Sequence, residues 1–190
     1  MSEEFEVRGV HEDHLDEAAE RDPQGMAGKL AVITAILATL GAMFSYMAGA
    51  TQVEAALLKN DAAIAKTEAS NQWNDYQAKG NKKNLGELGL ELATDARKPF
   101  FAEQVKHYEA EKAAIKPIAE KYEQNSLDFD KQSEAKMHRH HRWAQATMLL
   151  QIGIAMAAIA LLTRKRWLGK LVLGMGAIGI VVGALAFVGI

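Results

Sequence analysis

Three stretches of about twenty residues without one charged side chain constrain this chain more than anything else in it: residues 30–50, 144–163 and 171–190 contain no Asp, Glu, Lys, Arg or His. As a helix rising 1.5 Å per residue, each is long enough to cross the roughly 30 Å hydrocarbon core of a bilayer. A soluble helix of that length carries a polar face, and none of these does. The mean hydropathy of −0.12 and the 24% of charged residues look almost soluble, but that average hides a segregation of charge from apolarity. The expected fold class is an all-α membrane protein. It has three transmembrane helices and a long antiparallel helical hairpin, a coiled-coil-like stalk, between the first and second.

The segments follow from the charge pattern. Residues 1–29 are an acidic polar tail, with Glu12, Asp13, Asp16, Glu17, Glu20 and Asp22 among its carboxylates. It has too little apolar surface to fold alone, and is expected to be disordered or a short helix carrying Val7, Val10, Leu15 and Ala18. Pro23 and Gly25 punctuate the chain before transmembrane helix 1, residues 30–50. The triplet Ala48-Gly49-Ala50 has the form of a signal-peptide cleavage site. The apolar run before it is longer than a signal core and its flank is acidic, so an uncleaved anchor is expected.

Residues 51–143 form the soluble hairpin. Its first helix is expected to continue from the membrane to about residue 78, with a bend or break where Gly80, Gly86 and Gly89 fall. The turn is expected near 98–99, because Lys98 precedes Pro99 and proline suits the start of a helix. From there Phe101, Val105, Tyr108, Lys112, Ile115, Ala119, Tyr122, Ser126 and Phe129 follow alternating steps of four and three, a heptad-like seam with Lys112 and Ser126 as polar exceptions. Pro117 is expected to kink or interrupt this helix. Transmembrane helix 2 covers 144–163, a basic loop 164–170, and transmembrane helix 3 covers 171–190. Trp143, Trp167 and Tyr46 are read as interfacial anchors.

Orientation rests on basic residues. Short loops rich in Lys and Arg stay cytoplasmic, so the 164–170 loop and the N-terminus are placed inside and 51–143 in the periplasm. Lys59, Lys66, Lys131, Lys136, Arg139 and Arg142 pull the other way. The short loop prevails because long segments translocate with less regard to charge.

The chemistry of function is sparse. No cysteine occurs, which excludes disulfides, thiolate metal sites and cysteine nucleophiles. There is no phosphate-binding glycine loop, no nucleophile elbow and no zinc-protease pair, so no enzyme activity and no cofactor are expected. No ionisable residue lies inside a span, which argues against coupled transport. The run His138-Arg139-His140-His141-Arg142 offers imidazoles, but its arginines repel cations; it reads as a collar for lipid headgroups rather than a metal site. His11 and His14 are at most an adventitious pair. No catalytic, cofactor-binding or metal residue is therefore assigned.

Small residues recur four apart: Gly41, Ser45 and Gly49; Gly153 and Ala157; Gly179 and Gly183. Such stripes let helices pack closely in lipid. The expected partners are the bilayer and other copies of the chain, through these faces and the stalk. The near-balanced charge of 51–143 speaks against nucleic acid. The leading expectation is a non-enzymatic, homo-oligomeric scaffold. A passive channel lined by Thr34, Thr39 and Ser45 is the alternative, and a metal- or lipid-sensing accessory subunit the third.

One stretch, Asn71-Gln72-Trp73-Asn74-Asp75-Tyr76-Gln77-Ala78-Lys79-Gly80, resembles the central motif of a bacterial inner-membrane family known as domain of unknown function 4337. The segment from His138 through Gln151-Ile152 to Leu162-Thr163-Arg164-Lys165-Arg166-Trp167 is similar to its second span and basic loop. The resemblance implies a bacterial membrane protein with three spans and a helical insert, and no activity. It also implies a charged helical run where Pro117 stands, so Pro117 departs from the pattern. Within the motif, Trp73 and Tyr76 share a helix face and are expected to pack against the second hairpin helix, while Asn71 and Asn74 are polar groups that can set register if buried.

Overall fold

The computed structural model describes residues 25–189, and the acidic tail up to residue 24, with His11 and His14, lies outside them. The described chain is three helices: α1 (Met26–Leu92), α2 (Lys98–Thr163) and α3 (Arg166–Val188). Two are very long, at 67 and 66 residues, and each of the three contains a stretch long and apolar enough to cross a membrane. The chain divides into two units: one of residues up to Val53 and from Lys136 onward, the other Glu54–Ala135.

In the first unit all three helices contribute to one core. Along α1 the buried positions are Leu30, Thr34, Leu37, Gly41, Phe44, Ala48 and Thr51, alternating steps of four and three. That period keeps one stripe of a helix against its neighbours. Leu150 from α2 and Val172 from α3 are the largest fully buried side chains. The outward positions are equally apolar: Val32, Tyr46, Leu162, Val181 and Phe187 are all more than half exposed. A surface this apolar suits lipid rather than water.

In lipid, apolar side chains gain nothing by leaving their surroundings, so helix association depends on van der Waals contact. Glycines supply it. Added Cβ atoms would lie 2.8 Å from Leu37 at Gly176, 2.7 Å from Leu150 at Gly179, and in the ring of Phe44 at Gly183. The Gly179/Gly183 pair is thus occupied by contacts within the chain. Gly153 and Ala157 also face inward, whereas Ser45 and Gly49 are exposed.

Four local expectations need correcting. The glycines at 80–89 do not break α1, which runs unbroken to Leu92. Gly86 and Gly89 face Val105 and Phe101, 3.0 and 2.6 Å from where a Cβ would sit, so they make room for α2. Pro117 does not interrupt α2. It is exposed, as is Ala113, whose carbonyl loses its helical donor to the proline. The connection after α2 is shorter than 164–170: only Arg164 and Lys165 are non-helical, with Arg164 at φ 52, and α3 begins at Arg166. Trp143 is no interfacial anchor. It is 2% exposed and packs tilted against Phe44 with ring centroids 5.2 Å apart, while Trp167 and Tyr46 face outward at 57% and 75%.

The glycine contacts generate a prediction. Gly183→Ile is expected to lower the thermal midpoint in detergent by several degrees, an overpacking cost of about 1–3 kcal/mol. Gly174→Ile, where nothing lies within 4 Å, is expected to leave it unchanged. Equal effects from the two would show that the buried glycine face is not a packed contact.

Candidate functional site

The second unit, Glu54–Ala135, pairs a segment of α1 with a segment of α2. Small side chains line the contact. Ala55, Ala62, Ala65 and Ala69 of α1 and Ala119 of α2 are all under 8% exposed. Where alanine faces serine nothing larger than a methyl group stands between the helices, and hydroxyls of one helix reach carbonyls of the other. Ser126 Oγ donates to the Ala62 carbonyl at 2.9 Å and Ser133 Oγ to the Ala55 carbonyl at 2.8 Å. Both carbonyls and both hydroxyls are seven residues apart. In the first unit the same interval recurs: His140 Nδ1 donates to the Ala48 carbonyl at 2.9 Å.

The seam residues from Phe101 to Phe129 all lie in this contact, half-buried or, for Ala119, buried. Its two polar exceptions have partners. Ser126 makes the bond just described. Lys112 places its ammonium 4.7 Å from the Tyr76 ring centroid, a cation–π contact. Tyr76 in turn meets Trp73 edge-on at 5.4 Å, so the motif's two aromatics do share a face. Asn71 and Asn74 are exposed and set no buried register.

Ion pairs flank the seam: Lys59 with Asp130, Lys79 with Glu111 at 3.0 Å, and Lys83 with Glu109 at 2.5 Å. As partner numbers rise along α1 they fall along α2. The hydrogen bonds from Lys83 and Lys79 hold the Glu109 and Glu111 carboxyls below their ordinary value of 4.5. Reciprocally, hydrogen bonds to Asp130, Glu111 and Glu109 raise Lys59, Lys79 and Lys83 above 10.5.

Beside the contact runs a groove of about 700 Å³. Lys59 and Lys66 stand on its α1 side, Glu123 and Asp130 on its α2 side, and Trp73 and Leu127 lie between them. The seven-residue steps put Lys66 and Glu123 one heptad further along than the Lys59–Asp130 pair.

The other singled-out residues do not converge. Of the 138–142 run, His138 and His141 are exposed while Arg139 and His140 turn inward. Arg139 lies against Gly189 at the carboxyl end of α3, where a cation meets the negative end of the helix dipole. Among the described residues no group of three or more His, Cys, Asp or Glu is placed to hold a metal ion. Thr34 is buried with its hydroxyl unpartnered, whereas Thr39 and Ser45 are exposed on different sides of α1. The three hydroxyls therefore share no face. The hydroxyl–carbonyl contacts and the groove escaped the sequence reading. Continuing the four-three series past Phe129 reaches Ser133, His140 and Trp143, and would have found them.

An all-helical chain with three helices able to cross a membrane, two of them carrying a paired polar segment, is thus the class of protein defined here. The chain belongs to the family described as Domain of unknown function (DUF4337), whose model matches residues 26–189. No curated protein and no solved structure matches it.

The sign of the ion-pair effect sets a pH dependence. The depressed carboxyls add stability above 4.5 that is lost as pH falls through their lower folded values, and the raised lysines add stability below 10.5 that is lost as pH rises beyond it. Melting followed by circular dichroism is therefore expected to be flat across neutral pH and to weaken on both flanks. The effect is small because the groups are solvated, and high salt reduces it. Glu111→Gln is expected to shrink the acid limb; an unchanged limb would remove the Lys79–Glu111 pair from the account.

Proposed function

We propose that this chain is a non-enzymatic, multi-pass protein of the bacterial inner membrane that acts as a homo-oligomeric scaffold of the envelope. In this reading Glu54–Ala135 is an antiparallel, coiled-coil-like stalk. The N-terminus and the basic connection at Arg164 and Lys165 face the cytoplasm, and the stalk stands in the periplasm. The observation that carries the proposal is what the polar groups of the helical pair do. Ser126, Ser133 and Lys112, the polar residues of the four-three seam, bond or stack across to the other helix. A pair built this way serves as a rigid spacer rather than a reaction chamber. The exposed apolar side chains Leu57, Ile64, Leu85 and Leu92 fall on one heptad stripe of α1, at 54–78% exposure, and suit contact with further protein.

Two measurements test the reading. Because the chain has no cysteine, Gln124→Cys gives a single exposed thiol. A membrane-impermeant maleimide is expected to label it in intact cells whose outer membrane has been made permeable. Labelling only after the inner membrane is lysed would put the stalk in the cytoplasm. Light scattering of the purified chain in mild detergent and mass measurement in nanodiscs are expected to give an assembly of more than one copy. A monodisperse monomer in both would end the scaffold reading.

A further inference from the structure

The groove on the helical pair has a charge arrangement that selects its own occupant. We propose that it is the docking face for a second copy of this chain, related by a two-fold axis running along the groove, so that two helical pairs close into a four-helix bundle. The inference rests on the scaffold reading and names its interface.

Lysines 59 and 66 line the α1 side, and Glu123 and Asp130 line the α2 side at matching levels. Two pairs laid groove to groove can be related by two in-plane axes. An axis across the helices puts α1 on α1, lysine against lysine, and turns one copy end over end. An axis along the helices puts α1 on α2 of the other copy at the same level, lysine against carboxylate, with both copies pointing the same way. Only the second is electrostatically favourable, and only the second suits two chains inserted in one membrane with the same orientation. A two-fold contact of this kind is self-complementary and closes without leaving an open end.

The occupancy of the rims points the same way. Lys59 already bonds Asp130 within the chain. Lys66 and Glu123 stand one heptad on, both exposed, and neither takes part in an ion pair among the described residues. In the proposed dimer Lys66 meets Glu123 of the partner subunit, twice by symmetry. Between the rims the floor mixes alanines with Ser70, Asn74 and Gln77, and Leu127 stands 52% exposed in it beside the half-buried Trp73. This is the composition of an interface centre, an aromatic and an aliphatic anchor inside a charged rim.

The test is a charge-swap in the full-length chain, read by co-purification of two differently tagged copies and by mass measurement in nanodiscs. Lys66→Glu alone sets carboxylate against carboxylate at both symmetric contacts, and Glu123→Lys alone sets ammonium against ammonium. Each is expected to weaken self-association about tenfold or more. Mixing the Lys66→Glu chain with the Glu123→Lys chain restores opposite charges at both contacts, and the mixed pair is expected to form in preference to either like pair. That rescue also shows that each variant folds. If both variants self-associate like the parent chain, this face is not the interface, while the scaffold reading stands. If both are weakened and the mixture is not rescued, the two-fold pairing is wrong. If the parent chain is itself monomeric, the scaffold reading fails and this inference with it.

Discussion

Close approach of helix backbones is the constraint on which the rest of this structure depends. In the unit built from all three helices it is reached by deleting side chains: Gly176, Gly179 and Gly183 let Leu37, Leu150 and Phe44 press onto α3. In the unit of α1 and α2 alone it is reached with alanine, at Ala55, Ala62, Ala65 and Ala69. The two solutions are the ones that lipid and water respectively favour. A contact in lipid gains only van der Waals energy and rewards the smallest residue. A contact in water also gains from burying methyl groups, and alanine keeps its helix propensity where glycine loses it.

Close approach then decides what polar side chains can do. A serine hydroxyl reaches a neighbouring helix's carbonyl only when nothing larger separates the helices. Ser126 and Ser133 therefore satisfy themselves across the contact rather than within their own turn. The threonines Thr39, Thr67, Thr147 and Thr163 each bond the carbonyl four residues back instead. Because a hydroxyl must meet one particular carbonyl, these bonds favour one register over slipped alternatives that would leave buried groups unpaired.

The places where reading the sequence went astray share a cause. Gly86 and Gly89 look like helix breakers when only local propensity is weighed, yet they face Val105 and Phe101, and the room they make outweighs a cost of about 1 kcal/mol each relative to alanine. Trp143 looks like an interfacial anchor by its distance from the apolar run, yet it falls on the buried stripe. Gly179 and Gly183 look like a surface for another copy, yet α1 and α2 of the same chain fill them. In each case residue type and spacing were legible, and the identity of the neighbour was not.

The sequence by itself determined the all-helical class, the three stretches able to cross a membrane and the seam from Phe101 to Phe129; the turn expected at 98–99 falls earlier, at 93–97, and Lys98 already opens α2. The class, the stretches and the seam depend on charge placement and on a repeating interval, which are local properties of a chain. Only the tertiary structure decided which glycines are contacts, that Ser133 and His140 bond carbonyls of α1, and that Lys59, Lys66, Glu123 and Asp130 rim a single groove. Those facts join residues of different helices, from 12 positions apart (Gly89 and Phe101) to 139 (Gly183 and Phe44). No periodicity in one helix records which turn of another will lie beside it, because that choice is made by how two surfaces fit.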